Sequence, residues 1–215
     1  MLKLTTYFRS TAAYRVRIAL NLKGLEHELV PVHLLKGGGE HKTEQFLTQN
    51  PDGLIPTLST EDGVLAQSMA ILEYLEETAP TPALLPESAI DRAYVRGIAQ
   101  TIVSDMHPLN NLRVLQYLVN ELEASEEQKL SWYKHWVATG FKGIEARLAS
   151  DGRPGVCCYG DDPTLADVCL IPQVYNAQRF NCPLDAYPNI RRINEHCLSL
   201  PAFAEAVPAL QPDAE

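Results

Sequence analysis

Residues 10–20 read Ser-Thr-Ala-Ala-Tyr-Arg-Val-Arg-Ile-Ala-Leu and follow an apolar-polar alternation over residues 2–7. Alternation is typical of a strand, and apolar residues at a spacing of three to four are typical of a helix with one buried face. The buried face is predicted at Ala12, Val16, Ala19 and Leu20, with Arg15, Arg17 and Lys23 on the flanks. The pattern therefore predicts a strand that turns sharply into a helix.

Two hydroxyl residues, Ser10 and Thr11, stand at the start of this predicted helix. The first backbone N–H groups of a helix have no partner within the helix, and a side-chain hydroxyl is a common acceptor for them. The same N–H groups can hold an anion. The pair is therefore either a structural cap alone or part of an anion site.

A second helix start comes later in the same half of the chain. Residues 50–58 read Asn-Pro-Asp-Gly-Leu-Ile-Pro-Thr-Leu, which predicts a turn leading into a strand through the Ile55-Pro56 bond. A proline at this place is often cis and leaves the preceding backbone able to pair with a bound peptide. A further strand is predicted at residues 64–66, and Gln67 with Ser68 opens a helix over residues 69–78, a start suited to a carboxylate.

Prolines at positions 80, 82 and 86 separate this region of predicted strands and helices from a second half that is predicted to be almost wholly helical. Residues spaced by four predict one long helix that Pro108 kinks: Ile90, Tyr94, Ile98, Ile102 and Met106. Further helices are expected over residues 112–118 and 132–148. Thr164 and Asp167 form a capping pattern before an apolar run at residues 165–174, and we assign both to folding.

Composition excludes several classes of protein. The chain has 215 residues, 46% of them hydrophobic, and a net charge of −9, which argues against nucleic acid or an anionic membrane as a partner. The start of the chain has no secretory pattern and no apolar run is of membrane-spanning length, so we expect a soluble cytoplasmic protein. The five cysteines have no metal-type spacing and are expected to be reduced thiols in the core: Cys157, Cys158, Cys169, Cys182 and Cys197.

The order of elements over residues 1–80 resembles the thioredoxin-like domain of the glutathione transferases, and residues 10–20 look like the signature of their zeta class. The resemblance implies an α/β thioredoxin-like glutathione-binding domain at residues 1–80, a linker at 81–86 and an all-α substrate-binding domain at 87–215. The capping pattern at Thr164 and residues 174–180, 187–190 and 211–213 extend it along the chain. The zeta class commonly has a cysteine where this chain has Ala12, which argues against any scheme that needs a protein thiol there.

The resemblance also implies a set of site residues. Ser10 is the candidate donor to the glutathione sulfur, with Thr11 as a second hydroxyl, and Tyr7 and Tyr14 as alternative donors. Arg9 and Arg179 are expected to bind the carboxylates of an anionic substrate. The remaining residues expected at glutathione are Ala12, Ala13, Tyr14, Arg15, His41, Ile55, Gln67, Ser68, His107, Asn111, Leu112 and Arg113, of which His41, Arg15 and His107 could equally have only structural or solvated roles.

Members of the zeta class include maleylacetoacetate isomerases, so the resemblance implies cis-trans isomerisation of a maleyl diacid with glutathione as a cofactor that is not consumed. A helix N-terminus and a hydroxyl favour the thiolate that such a reaction needs. Residues 107–113 also resemble maleylpyruvate isomerases, which leaves that substrate as the alternative. The family further implies a homodimer.

Two other functions remain open from the sequence. The first is a transferase that conjugates glutathione to α-halo acids or other electrophiles, which would consume glutathione. The second is a non-catalytic module of a larger assembly, against which the intact Ser10, Ile55-Pro56 and Gln67-Ser68 argue.

Overall fold

The computed structural model describes residues 1–215, which form two compact units. The first unit comprises Met1–Leu84 and Ser199–Glu215, and the second comprises Leu85–Leu198. The sequence had placed the last residues with the helical domain, whereas in the structure they pack with the first unit. The physical reason is a set of hydrogen bonds that residues after 199 make to the first helix of the chain and to the turn before it.

The first unit is built on a four-stranded mixed sheet. Its elements are β1 (Leu2–Thr6), α1 (Thr11–Leu22), β2 (His27–Pro31), α2 (Glu44–Gln49), β3 (Thr57–Ser59), β4 (Val64–Ala66), α3 (Ser68–Thr78) and the short α9 (Pro201–Ala204). The strand order is β2-β1-β3-β4, with β1 parallel to β2 and antiparallel to β3. Leu4 pairs with Leu58 across this sheet, and both side chains are fully buried. The sheet and its helices confirm the predicted thioredoxin-like arrangement.

The strand-to-helix corner at Ser10 is confirmed, but the two faces of α1 differ from the prediction. Ala12 is half-buried rather than in the core, and Arg15, Arg17 and Lys23 are buried rather than on exposed flanks. The charged groups of Arg17 and Lys23 can be buried because each has several hydrogen-bond acceptors inside the unit. Arg17, for example, donates to Thr6 Oγ1 at 2.9 Å and to the Ala206 carbonyl at 3.2 Å.

Lys23 binds the proline-rich segment that follows α3. Its ammonium lies 2.8 Å from Glu76 Oε2 and donates to the carbonyls of Ala79 and Pro82 at 2.6 and 2.9 Å. Glu76 in turn accepts the N–H of Leu84. A buried ion pair is stable only when such additional hydrogen bonds satisfy the remaining donors and acceptors.

The second unit is wholly helical. Its elements are α4 (Ala89–Gln100), a π-helical turn (Thr101–Met106), a 3₁₀ turn (Pro108–Asn110), α5 (Leu112–Asn120), α6 (Glu126–Ser150), α7 (Leu165–Arg179) and α8 (Pro188–Leu198). No helix in the chain is both long and apolar enough to span a bilayer.

The helix predicted from residue 90 continues to Met106, but its second half is π-helical rather than α-helical. The chain continues from α4 into the π-helical turn, where His107 N–H donates to the Ile102 carbonyl five residues earlier at 2.9 Å. Pro108 has no N–H to continue the ladder, so the helix gives way to a 3₁₀ turn. Ile90, predicted on the buried face, is 67% exposed.

The capping pattern before α7 is confirmed as a capping box. Asp167 Oδ2 accepts the Thr164 N–H at 2.8 Å and its hydroxyl at 2.9 Å, and Oδ1 accepts the Cys158 N–H at 2.8 Å. Burial raises the pKa of the Asp167 carboxyl, and the bonds from Cys158 and Thr164 oppose that rise. All five cysteines are buried free thiols, as expected.

Candidate active site

The N-terminus of α1 is open at its first turn. The chain reaches it through a turn in which Ser10 N–H donates to the Tyr7 carbonyl at 2.8 Å, and Ser10 Oγ accepts the Ala13 N–H at 3.2 Å. No acidic residue lies in the first turn. Ser10 and Ala12 are half-buried, whereas Thr11 and Ala13 are buried. The corner therefore combines the positive end of a helix with a hydroxyl, and the first turn of the helix contains no carboxylate.

A buried arginine joins this helix start to that of α3. Arg15 Nη1 donates to Ser68 Oγ at 3.2 Å, and Arg15 is 1% exposed. Ser68 is the first residue of α3, and Gln67, its N-cap, is exposed with a φ of +69°. Two helix N-termini, one with Ser10 and one with Ser68, are thus fixed relative to each other within the first unit. Arg15 acts here as a link inside the protein rather than as the exposed cation expected from the sequence.

The segment before β3 holds a backbone that is unpaired within the chain. The Ile55-Pro56 bond is cis, as expected, and Asn50 shapes the loop by donating from Nδ2 to the Leu54 carbonyl at 2.7 Å. Ile55 is largely buried, and no residue of the chain pairs with its backbone N–H or C=O. Buried backbone groups are nearly always paired, so Ile55 is suited to bind an extended peptide.

His41 lies in a tight loop rather than on the surface. The residue is buried, its Nδ1 has no hydrogen-bond partner, and a Cβ at Gly39 would overlap its ring. Burial, and to a lesser extent the charge of Lys42, lower the pKa of His41. A neutral ring with an unpartnered nitrogen is suited to a ligand that can share a hydrogen bond with it.

The other first-unit candidates differ in accessibility. Arg9 is half-buried, with its guanidinium 4.7 Å from the centre of the Phe8 ring. Tyr14 is 1% exposed and lies beside the Arg17 guanidinium in the interior, so its phenol is poorly placed as a donor. Tyr7 is also buried, and its ring contacts Phe8 and His33 edge-on. Among the candidate donors, Ser10 is the one at the surface of the corner.

In the second unit, four candidates follow one another around Pro108 and the start of α5. His107, Asn111 and Leu112 are half-buried, and Arg113 is exposed. Asn111 is the N-cap of α5, because its Oδ1 accepts the Arg113 N–H at 3.1 Å. Asn111 therefore has a structural role that the sequence did not indicate.

Arg179, the last residue of α7, rests on an aromatic stack. It is exposed, with its guanidinium 4.8 Å from the centre of the Phe180 ring, and that ring stacks on Tyr133 at 3.8 Å. The Tyr133 hydroxyl is buried without a hydrogen-bond partner, and burial raises the pKa of Tyr133 well above its usual range. An arginine held over an aromatic ring keeps its donors directed outward, which suits a carboxylate ligand.

Sequence reasoning missed two residues that shape the Ser10 corner, Arg17 and Asp213. Arg17 Nη2 donates to the Phe8 carbonyl at 3.2 Å, and Asp213 Oδ2 accepts the Phe8 N–H at 2.8 Å. Residues 211–213 contribute to the family resemblance in the sequence, but nothing local indicates that they meet residue 8. Contacts over such separations leave no periodic signal.

Comparison with known proteins identifies relatives of this chain. A family model described as "Glutathione S-transferase, N-terminal domain" matches residues 9–78. A probable maleylacetoacetate isomerase of Vibrio cholerae is 49% identical over 97% of this chain and 96% of the relative. The maleylacetoacetate isomerase of Pseudomonas aeruginosa is 47% identical over 99% of this chain and 98% of the relative.

Solved structures agree with these relatives in fold. The holo structure of a bacterial maleylpyruvate isomerase, described as a zeta-class glutathione S-transferase, superimposes with a TM-score of 0.96 at 46% identity, over 99% of this chain and 100% of the other. A maleylacetoacetate isomerase of Methylobacterium extorquens AM1 with bound malonate and glutathione gives 0.95 at 41% identity, over 99% of both chains. On sequence and fold together, this chain belongs to the zeta class of the glutathione transferases.

Proposed function

We propose that this protein is a glutathione-dependent cis-trans isomerase that converts maleylacetoacetate to fumarylacetoacetate. The observation that carries the proposal is the pair of helix N-termini joined by the Arg15–Ser68 bond, with the Ser10 hydroxyl at the open end of α1. Full-length relatives at 47–49% identity that are named as such isomerases support it. In this proposal the protein catalyses one step in the breakdown of tyrosine and phenylalanine.

The first unit fits glutathione on three features of its own. The α1 terminus offers a positive field and a hydroxyl, Ile55 offers an unpaired backbone, and His41 offers an unpartnered buried nitrogen. Bound glutathione supplies a thiolate that adds reversibly to the double bond of the substrate and is recovered unchanged. In this assignment Ile55 pairs with the cysteinyl segment, and Gln67 with Ser68 holds the γ-glutamyl end.

In this proposal the Ser10 corner keeps the thiol of bound glutathione ionised at neutral pH. A hydroxyl hydrogen bond and a helix N-terminus both lower the pKa of a thiol. Ser10 donates to the sulfur in this proposal, and Thr11 and the backbone of Ala12 and Ala13 add to the field. Because Ser10 Oγ accepts from Ala13 N–H, its own hydroxyl proton remains available to donate outward.

Fixed positive charge is needed for the substrate, which is a diacid and gains delocalised charge as the double bond is attacked. We assign this charge to Arg9 and Arg179, each of which lies at an aromatic ring that limits its freedom. His107, Asn111, Leu112 and Arg113 complete the proposed set of ligand contacts. Of these, Asn111 also caps α5, so its substitution would affect stability as well as binding.

Maleylpyruvate is the alternative substrate, since the bacterial maleylpyruvate isomerase of known structure is as close in fold as any maleylacetoacetate isomerase considered above. The two compounds differ beyond the reacting bond. We further propose, on the family pattern, that the protein is a cytoplasmic homodimer.

The deciding experiment is a spectrophotometric assay of the purified protein on both maleyl compounds, with and without glutathione, while free thiol is titrated. Loss of the cis compound that requires glutathione and leaves the thiol concentration unchanged supports the isomerase, and the ratio of the two rates identifies the substrate. Thiol that falls in step with an offered α-halo acid, without isomerisation of either maleyl compound, would replace the proposal with a conjugating transferase.

A further inference from the structure

The turn that leads into α1 depends on one residue, Phe8. Residues 7–10 form a four-residue turn closed by the Ser10 N–H on the Tyr7 carbonyl. The second residue of such a turn does not pair its own backbone groups within the turn. Phe8 is 4% exposed, so its N–H and C=O require partners elsewhere in the protein. Those partners determine how firmly Ser10 is held.

Both partners of Phe8 come from outside the turn. Asp213 Oδ2 accepts the Phe8 N–H at 2.8 Å, and Arg17 Nη2 donates to the Phe8 carbonyl at 3.2 Å. Arg17 also donates to Thr6 Oγ1 and to the Ala206 carbonyl. Residues near the end of the chain therefore bind the Phe8 turn directly through Asp213 and indirectly through Arg17.

The Asp213 carboxylate is itself held in place. Ala214 N–H donates to the Gln211 carbonyl at 3.0 Å, which closes a turn with Pro212 and Asp213 at its centre. The Gln211 side chain donates to the carbonyls of Glu205 and Val207 at 3.0 and 2.9 Å. A carboxylate on such a braced turn accepts a backbone N–H with little loss of side-chain freedom.

We propose that Asp213 is a positioning residue for Ser10, acting through the N–H of Phe8. This inference rests on the proposed function, since it assigns Asp213 to the geometry of the corner that ionises the thiol. Small displacements of a reacting group, about 1 Å, can lower a rate by about a hundredfold. Removing the Asp213 acceptor leaves the buried Phe8 N–H without a partner and lets the turn, and Ser10 with it, shift.

The test compares Asp213→Ala with Asp213→Asn, which keeps a carbonyl oxygen but no charge. The readouts are the pKa of the thiol of bound glutathione, followed by thiolate absorbance against pH, and amide exchange at Phe8 and Ser10 in the protein without glutathione. We expect Asp213→Ala to raise the thiol pKa, to speed exchange at both amides, and to lower kcat by about tenfold or more with a smaller change in KM. In Asp213→Asn, the thiol pKa, the amide exchange and kcat should each stay closer to the values of the parent protein than to those of Asp213→Ala.

A matched control is Glu215→Ala. Glu215 is a carboxylate of the same segment that pairs with Lys36 at 2.8 Å and lies 3.3 Å from His33 Nε2, and it accepts no hydrogen bond from the Phe8 turn. It should leave the thiol pKa unchanged. An Asp213→Ala protein with the parent's thiol pKa and amide exchange, or an Asp213→Asn protein impaired as severely as Asp213→Ala, would overturn the inference.

Two further outcomes distinguish a failure of the Asp213 inference from a failure of the proposed function. If Asp213→Ala does not fold, Asp213→Glu moves the acceptor by one methylene, and an unchanged thiol pKa in that variant also counts against the inference. If the parent protein binds glutathione without lowering the pKa of its thiol, the proposed function fails. Amide exchange at Phe8 and Ser10 still decides whether Asp213 fixes the turn.

Discussion

The N-termini of α1 and α7 both begin with a hydroxyl residue, yet one is open and the other is closed. At α7, Asp167 in the first turn accepts from Thr164 N–H, Thr164 Oγ1 and Cys158 N–H, and the whole group is buried. At α1, the first turn carries no acid, and Ser10 is half-buried. At the N-terminus of α7 the positive field of the helix acts on the Asp167 carboxylate, whereas at the N-terminus of α1 the field can act on a ligand.

The difference shows how the same capping chemistry can serve folding or function. A carboxylate at the third helical position neutralises the helix end and satisfies nearby donors. Ala13 occupies the corresponding position in α1 and can do neither. We therefore expect substitutions at the closed terminus to change mainly stability, and those at the open terminus to change mainly chemistry.

The largest expected effect is that of Asp167→Ala on stability. The substitution leaves two backbone N–H groups and one hydroxyl buried without acceptors, at a cost of about 3 to 5 kcal/mol in the free energy of unfolding. Urea denaturation measures it. Gln128→Ala is the matched control, because Ser125 and Gln128 form an exposed capping box at α6, whose loss should cost about 1 kcal/mol or less. Equal losses of unfolding free energy in Asp167→Ala and Gln128→Ala would show that burial of a capping box does not determine how much its loss destabilises the protein.

Next in size is the effect of Ser10→Ala on turnover. Loss of a single donor to a developing or fixed anion usually costs about 2 to 4 kcal/mol, so kcat should fall by about one to three orders of magnitude. Stability should fall by only about 1 kcal/mol, for the lost cap on Ala13. Ser88→Ala removes the corresponding cap of α4 and should reduce stability alone. Unchanged turnover in Ser10→Ala would move the donor role to Thr11, Tyr7 or the backbone.

The smallest expected effect comes from partly closing the open terminus with Ala12→Asp. A carboxylate in the first turn of α1 should stabilise the helix by about 0.3 to 1 kcal/mol. It should also compete with an anionic ligand and raise the pKa of the bound thiol by less than about one unit. Calorimetric binding of glutathione and thiolate absorbance measure the two effects, and Ala12→Asn supplies the uncharged control. Tighter glutathione binding in Ala12→Asp would contradict an anion site at this corner.

Local patterns in the sequence were enough to predict much of the first unit and of α7. The alternation before residue 7, the hydroxyls at Ser10 and Thr11 and the Thr164–Asp167 spacing each report on neighbours within a few residues, and each matches the structure. The periodicity around Ile102 could not distinguish an α-helix from the π-helical turn, since a one-residue change in hydrogen bonding barely alters which residues are buried.

Burial of charged side chains could not be predicted. Arg15 and Arg17 look like flank residues, because arginine on a helix is usually solvated, and their acceptors lie at Ser68 and Ala206. These acceptors are 53 and 189 residues away, beyond the range of any helical or strand pattern. The same holds for Asp213 at Phe8. Local chemistry indicates where a site begins, and long-range contacts determine what supports it.

The return of residues 199–215 to the first unit has a consequence for synthesis. On the ribosome, residues 85–198 are made before Ala206 and Asp213, so a nascent first unit has its sheet and helices but not these partners of Arg17 and Phe8. N-terminal domains generally fold first during translation. Here the corner that carries Ser10 acquires its full set of hydrogen bonds only after the whole second unit and the segment with Ala206 and Asp213 have been synthesised.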